Sequence, residues 1–338
     1  MSPRPRLRPS ARPLRRSDGA LQFGLAPAAG LVVEGLSHRE VALVRLLDGS
    51  RELTELYAAA SDAGIGAARV TQLVDGLRRG GLLVEDPPGG PLAPGGTPPL
   101  PRARQRRAAE ALSVAYGSPG DGWVVLERRR RAHVLVTGEG LVPEVLAAGL
   151  RAAGVGSVTV GREAVTAWVE RITDRGTRPA ELTGLPDLVV LAALEVLPLG
   201  EDLPWARADV PQLPVVVQDP RVLVGPLLDP RSGPCLRCLD LHRSDRDAGW
   251  PAVFAQIGCA DPTAPPAPVD TDAALAQLAA GHASALVGMH LDRQTDPTGV
   301  SVETAIPWGQ TVHRVWDPHP RCAAHRPETI GATAKRTQ

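Results

Sequence analysis

Two pairs of metal-type side chains share one spacing: Cys235-Leu-Arg-Cys238 and, far downstream, Cys322-Ala-Ala-His325. Thiolates and an imidazole in this pattern suit one tetrahedral zinc ion. A C-x-x-C turn points both sulfurs at one centre while backbone N–H groups support their charge. Four protein ligands leave no open coordination position, so the zinc would be structural, not catalytic. The chain has only 4 cysteines, and three of them fall in the pattern. The fourth, Cys259, reads as a bystander. The alternative is that the two pairs are unrelated. His242 stands near the first pair but at no ligand spacing.

A second candidate is Gly138-Glu139-Gly140-Leu141-Val142-Pro143, which follows the apolar run HVLVT at 133–137. In a G-x-G-x-x-G loop the glycines let backbone approach a phosphate, and a helix N-terminus receives it. Here the third glycine is Pro143, which has no N–H to donate, and Glu139 adds negative charge where phosphates would lie. The acidic residue that would hold ribose hydroxyls after the next strand is missing, because Val160-Gly161-Arg162 occupies that place. Gly138 and Gly140 therefore read as a degenerate nucleotide loop, and no ATP is expected there. The single lysine, Lys335, stands near the end of the sequence. Ordinary P-loop and Schiff-base chemistry are excluded with it.

The elements that must position these groups follow from pattern. Residues 1–11 alternate proline and arginine and read as a disordered basic arm. PLRR, the turn Ser17-Asp18-Gly19 and ALQFG predict a β-hairpin, since Asp-Gly tolerates the positive φ of tight turns. Leu31-Val32-Val33 predicts a third short strand. Ser37-His38-Arg39-Glu40 fits a capping box opening an amphipathic helix with Val41, Val44 and Leu47 on one face. Helices over about 52–62 and 66–79 complete a winged-helix-like module at 12–85. Residues 86–104 are rich in proline and glycine and read as a linker. From 105 to 327 an α/β pattern runs: a strand at 133–137, a helix at about 142–153, then strands at 157–160, 186–194, 213–218 and 222–229. A helix at about 271–291 and strands at 300–304 and 311–315 close it. This alternation predicts an open, largely parallel sheet. Residues 328–338 read as a flexible tail.

Composition bounds the rest. Hydrophobic residues make up 43% of the 338, but aromatics only 3%, so the cores must be built from Ala, Val and Leu. Formal net charge is zero, which removes any global electrostatic case for nucleic acid or membranes. No run is long and apolar enough to span a bilayer. Arg15-Arg16 opens no export signal, since Asp18, Gln22, Pro27 and Glu34 break the segment that follows. A cytoplasmic location is expected.

LPVVVQ, VLVGPLLDPRSGPCLRCLD, the later Ala/Gly-rich helix and HRVWDPHPRCAAH resemble the second half of the ThiF/MoeB/ubiquitin-activating superfamily. His325 departs from that family, whose second ligand pair is usually two cysteines. The winged-helix-like module, the linker and LDLHRSDRDAGWP make the resemblance narrower. They are similar to the leader-peptide-binding, cyclodehydratase-associated proteins of azole-modified peptide (TOMM) pathways, which partner a YcaO enzyme. The resemblance implies a Rossmann-type zinc domain preceded by a peptide-binding module like the RiPP recognition element, and allows a homodimer through the ThiF-like domain. It also implies a magnesium-binding aspartate after DLVV, where Leu191-Ala192-Ala193-Leu194 stands, and a catalytic lysine for which there is no candidate.

The function expected is a non-catalytic adaptor that binds a precursor leader and presents it to a YcaO-type cyclodehydratase. Leu31, Val32 and Val33 would offer a strand edge, with pockets from Val70, Leu73 and Leu77, and with Arg69 meeting an acidic leader. The bland alternative is that these apolar side chains fill a small core. Two other functions stand beside this one. One is a working adenylyltransferase acting on a peptide or sulfur-carrier C-terminus. The other is a winged-helix DNA-binding regulator, disfavoured because the third helix carries few arginines and no stacking aromatics. His242–Asp247 reads either as a partner contact or as a solvated charged turn.

Overall fold

The computed structural model describes residues 4–8, 11–17, 19–23, 31–85, 102–116, 121–173, 184–198, 200–258, 270–293, 296–307 and 309–325. They form two compact units, 1–128 and 129–338.

In the first unit, β2 (Pro13–Ser17), β3 (Ala20–Phe23) and β4 (Leu31–Val33) make an antiparallel sheet in that order. Three helices follow: α1 (His38–Arg45), α2 (Leu53–Asp62) and α3 (Ala67–Arg79). Both halves of the Ser37/Glu40 capping box form, so orphan N–H groups at the start of α1 are satisfied. Phe23, Leu43, Val44, Leu56, Val70, Val74 and Leu77 pack as one core.

Within the stretch read as an arm, residues 4–8 are ordered. β1 (Pro5–Leu7) pairs antiparallel with β5 (Leu83–Glu85), and Arg8 is buried. Backbone pairing orders the segment: Arg8 N–H donates to Leu82 O at 2.9 Å and Leu7 N–H to Leu47 O at 2.8 Å. Helices α4 (Arg102–Tyr116) and α5 (Asp121–Arg131) come next. α4 begins inside the stretch read as a linker, and the division between units falls after Arg128, later than the 105 suggested by composition. A packing cause is visible, since Glu110 of α4 is buried within reach of Arg6 and Arg8.

The second unit is a seven-stranded sheet in the order β12-β11-β10-β9-β8-β6-β7. β6 (His133–Val136), β7 (Ser157–Val160), β8 (Leu188–Leu194) and β9 (Gln212–Gln218) run parallel. β10 (Arg221–Val224), β11 (Val300–Ala305) and β12 (Gln310–Val315) extend it antiparallel. The sheet is therefore mixed rather than largely parallel. Only two residues separate β9 from β10, which permits a hairpin and no crossover. This α/β arrangement fits a Rossmann-like domain.

Helices α6 (Leu141–Ala152) and α11 (Ala273–Asp292) cover one face, packing Leu146, Leu150, Ala276, Ala280 and Val287 on Val134, Val190, Val215 and Val224. On the other face Trp205, from the short α8 (Leu203–Arg207), joins Leu135, Val189 and Leu191, with α7 (Arg162–Thr173) packed alongside. α9 (Leu236–Arg246) and α10 (Trp250–Gly258) follow the C-x-x-C turn. Arg129 holds the end of α11 through a bidentate pair, Nε to Asp292 Oδ1 and Nη2 to Oδ2, both 2.6 Å. Among the described residues no helix is long and apolar enough to cross a membrane.

Candidate metal centre, nucleotide loop and peptide edge

Cys235 is the N-cap of α9, in extended backbone conformation, and Cys238 lies in its first turn. The third sulfur arrives from far along the chain. Cys322 follows a tight turn in which its N–H donates to His319 O at 2.8 Å. Cys235 Sγ stands 3.7 Å from both Cys238 Sγ and Cys322 Sγ, and all three sulfurs lie within 4.8 Å of one another. Zinc–sulfur bonds of about 2.3 Å in a tetrahedron require sulfurs about 3.8 Å apart, so the cluster is compatible with zinc. Cys238 and Cys322 are buried and Cys235 half-buried. Burial pushes the Cys235 thiol up to about 12, with the crowding sulfurs adding to the rise. Burial also raises Cys238, but N–H groups of Cys235 and His319 and the other two sulfurs bring it below its ordinary value. Three thiols so close cannot all ionise without a cation between them. The His325 side chain lies outside the described residues, as does Cys259.

The sequence reading missed what braces this centre. His242 to Arg246 are not a turn but the last part of α9. Arg321 N–H donates to His319 Nδ1 at 3.1 Å, so Nε2 carries the proton and donates to Asp245 Oδ2 at 2.9 Å. Arg321 also pairs with Asp245. His242 Nε2 donates to Asp317 O at 3.0 Å, and its ring meets His319 edge-on at 4.6 Å. The Arg246 guanidinium sits 5.1 Å over Trp316. The segment thus clamps the loop that delivers Cys322. The His319 hydrogen bond, with the Arg321 charge, holds Asp245 below the ordinary carboxylate value.

Gly138 and Gly140 sit between β6 and α6, where the sheet order reverses around β6. That is where open α/β sheets bind ligands. Both have positive φ, +87° and +90°. A Cβ at Gly138 would meet Ala192 O at 2.5 Å, so backbone crowding alone requires glycine there. At the helix start the chain supplies its own anion. Asp270 Oδ1 accepts from Leu141 N–H at 3.2 Å and from Thr271 N–H at 2.9 Å, in the position a phosphate would take. One acid was overlooked in the sequence. β8 runs through Leu194, and Glu195 follows it with φ 61°, its N–H donating to Val217 O at 2.7 Å.

In the first unit, among the described residues, β4 pairs only with β3 and is an edge of its sheet. Leu31 is exposed, and Val32 and Val33 are half-buried. Val70, Leu73 and Leu77 are buried in the module's core, so their side chains do not form surface pockets. Arg69 is engaged as well: Nε pairs with Glu40 Oε1 at 2.5 Å and Nη1 with Gln72 Oε1 at 2.8 Å. The surface beside β4 is instead lined at the end of α3 by Gly80, where an added Cβ would meet Leu31 Cδ2 at 3.1 Å.

A scan against protein-family models finds no match, and a search of curated proteins finds none. Solved structures do match. A heterocyclase in complex with substrate and cofactor aligns over 96% of this chain with TM-score 0.60 and 15% identity. The heterocyclase TruD aligns over 95% with TM-score 0.64 and 14% identity. The chain spans 39% and 42% of those two proteins, about two fifths of their length. E. coli MccB with AMPCPP and MccA aligns over 95% of this chain and 99% of its own, with TM-score 0.62 and 14% identity. At such identities the likeness shows a shared fold.

Proposed function

We propose that this chain is a non-catalytic adaptor that captures the leader of a precursor peptide and presents it to a YcaO-type cyclodehydratase, with structural zinc completed by His325. The observation that carries the reading is the unpaired edge of β4. An extended peptide adds to such an edge by matching its free N–H and C=O groups. The three-stranded sheet with α1 to α3 is read as a winged-helix-like, RiPP-recognition-type module. The fold shared with heterocyclases supports the pathway. DNA binding is disfavoured, since Arg69 of α3 is held by Glu40 and Arg78 stands on the exposed face beside the acid Asp75.

Successive strand N–H groups point to opposite edges, so one of Val32 and Val33 faces the free edge and the other faces β3. In the full-length chain, proline at the free-edge position should weaken leader binding at least about tenfold, with helix content unchanged. Fluorescence anisotropy with a labelled leader peptide reads this. If both proline variants fold and bind like the parent, strand addition is wrong.

Glu195 at the end of β8 favours a second reading, a working adenylyltransferase. The two readings separate on nucleotide. Asp270 fills the helix N-terminus with negative charge, and Pro143 removes a donor, so calorimetry should detect no ATP binding at millimolar concentration. Pyrophosphate exchange by the parent that disappears in Glu195→Gln would establish the second reading.

A further inference from the structure

On the sheet face of the second unit that turns away from α6 and α11 lies a cavity of about 650 Å³. Pro214 and Val216 of β9 and Leu223 of β10 floor it, and α9 and α10 wall it. The volume is that of a small-molecule or short-peptide site. Its lining is mainly apolar, and its charged groups are Glu195, Asp202 and Asp240 against Arg237 and Arg243, an excess of one acid. Arg243 pairs with Asp240 at 3.3 Å and lies 5.1 Å over the Trp250 ring, so these two charges satisfy each other. Trp250 and Phe254 stack with centroids 5.6 Å apart and present an aromatic wall.

Asp202 is different. It also lines the cavity, half-buried, at the N-cap of α8, yet its side chain makes no cap hydrogen bond. Among the described residues no cation pairs with it, and Asp240 and the neighbouring Glu201 add like charge. The carboxylate accepts from its own backbone N–H, but a partly desolvated carboxylate without a cation is costly. We propose that this cavity binds an organic cation carried on an apolar body, an ammonium, amidinium or guanidinium beside Asp202 with its hydrocarbon against Val216, Leu223 and Phe254. Burial pushes the Asp202 carboxyl above its ordinary value, a strain that a bound cation relieves. Leu203, 52% exposed at the rim, continues the apolar lining outward. The proposal is independent of the β4 edge and of the adaptor reading.

The test is calorimetry on the full chain with three isosteric probes: benzamidine, benzamide and benzoate. Benzamidine should bind with Kd of about 0.1–1 mM, and the neutral and anionic probes at least about tenfold more weakly. Asp202→Asn should weaken benzamidine about tenfold, whereas Glu170→Gln, which removes an exposed charge on α7, should leave it unchanged. The capped dipeptide acetyl-leucyl-arginine amide distinguishes two sources of the cation. Binding about tenfold tighter than benzamidine assigns the site to a peptide side chain; equal or weaker binding assigns it to a free small molecule. Benzoate or benzamide binding as tightly as benzamidine, no saturable benzamidine binding, or an unaffected Asp202→Asn variant would each overturn the proposal.

Discussion

Cys235→Ser or Cys322→Ser should strip the chain of its metal and unfold the second unit. The three sulfurs are spaced as a zinc tetrahedron requires, and they join α9 to a loop that no sheet pairing holds near it. Structural zinc sites in small peptides are worth about 10–16 kcal/mol at neutral pH, as much as the whole folding stability of a typical domain. Elemental analysis should give about one zinc per parent chain and none for either variant, whose melting should lose its cooperative transition. Cys259→Ser should keep the metal. A well-folded parent free of zinc, or a Cys322→Ser protein with full metal content, would sink the assignment. The His325 ligand is checked separately: His325→Ala should weaken zinc retention against a chelator, whereas His38→Ala, at the exposed start of α1, should not.

The second large effect is expected at Asp292→Ala. Asp292 is fully buried and Arg129 nearly so, and the alanine would leave the guanidinium without its carboxylate at the end of α11. Breaking such a pair costs about 3–5 kcal/mol, mostly from the charge left behind. Urea denaturation should show a much lower midpoint with little change in slope. Replacing both partners, as Arg129→Met with Asp292→Leu, should recover part of the loss. A loss below about 1 kcal/mol for Asp292→Ala would mean that solvent reaches the pair.

Much of this architecture is legible locally. The Ser37/Glu40 capping box, the β2–β3 hairpin and the strands at 31–33 and 157–160 rest on interactions within a few residues. The C-x-x-C turn is local too. What was not legible depends on distant partners. Proline and arginine at 5–7 look disordered until β5 supplies a strand to pair with. Asp270 caps α6 across 129 positions, and Asp245 meets His319 across 74. No periodicity encodes either. Val70, Leu73 and Leu77 illustrate the opposite difficulty. Their spacing gives one apolar face, but a core and a binding groove need the same pattern, and packing against Leu43 and Leu56 decides for the core. Glu195 directly follows the strand expected at 186–194, but the family resemblance points to an acid straight after DLVV, four residues earlier in the strand.

A metal centre at these cysteines would also have a timing. Cys322 follows Cys235 by 87 positions, so on a ribosome working at about 5–20 residues per second the first thiol pair emerges about 4–17 s before the third ligand. During that interval Cys235 and Cys238 have no Cys322 to complete the site, and they are open to oxidation or to capture by a softer ion such as copper(I). Metal and oxidant levels during synthesis would therefore set the yield of correctly assembled chains. Adding zinc after translation should rescue only those whose first pair is still reduced.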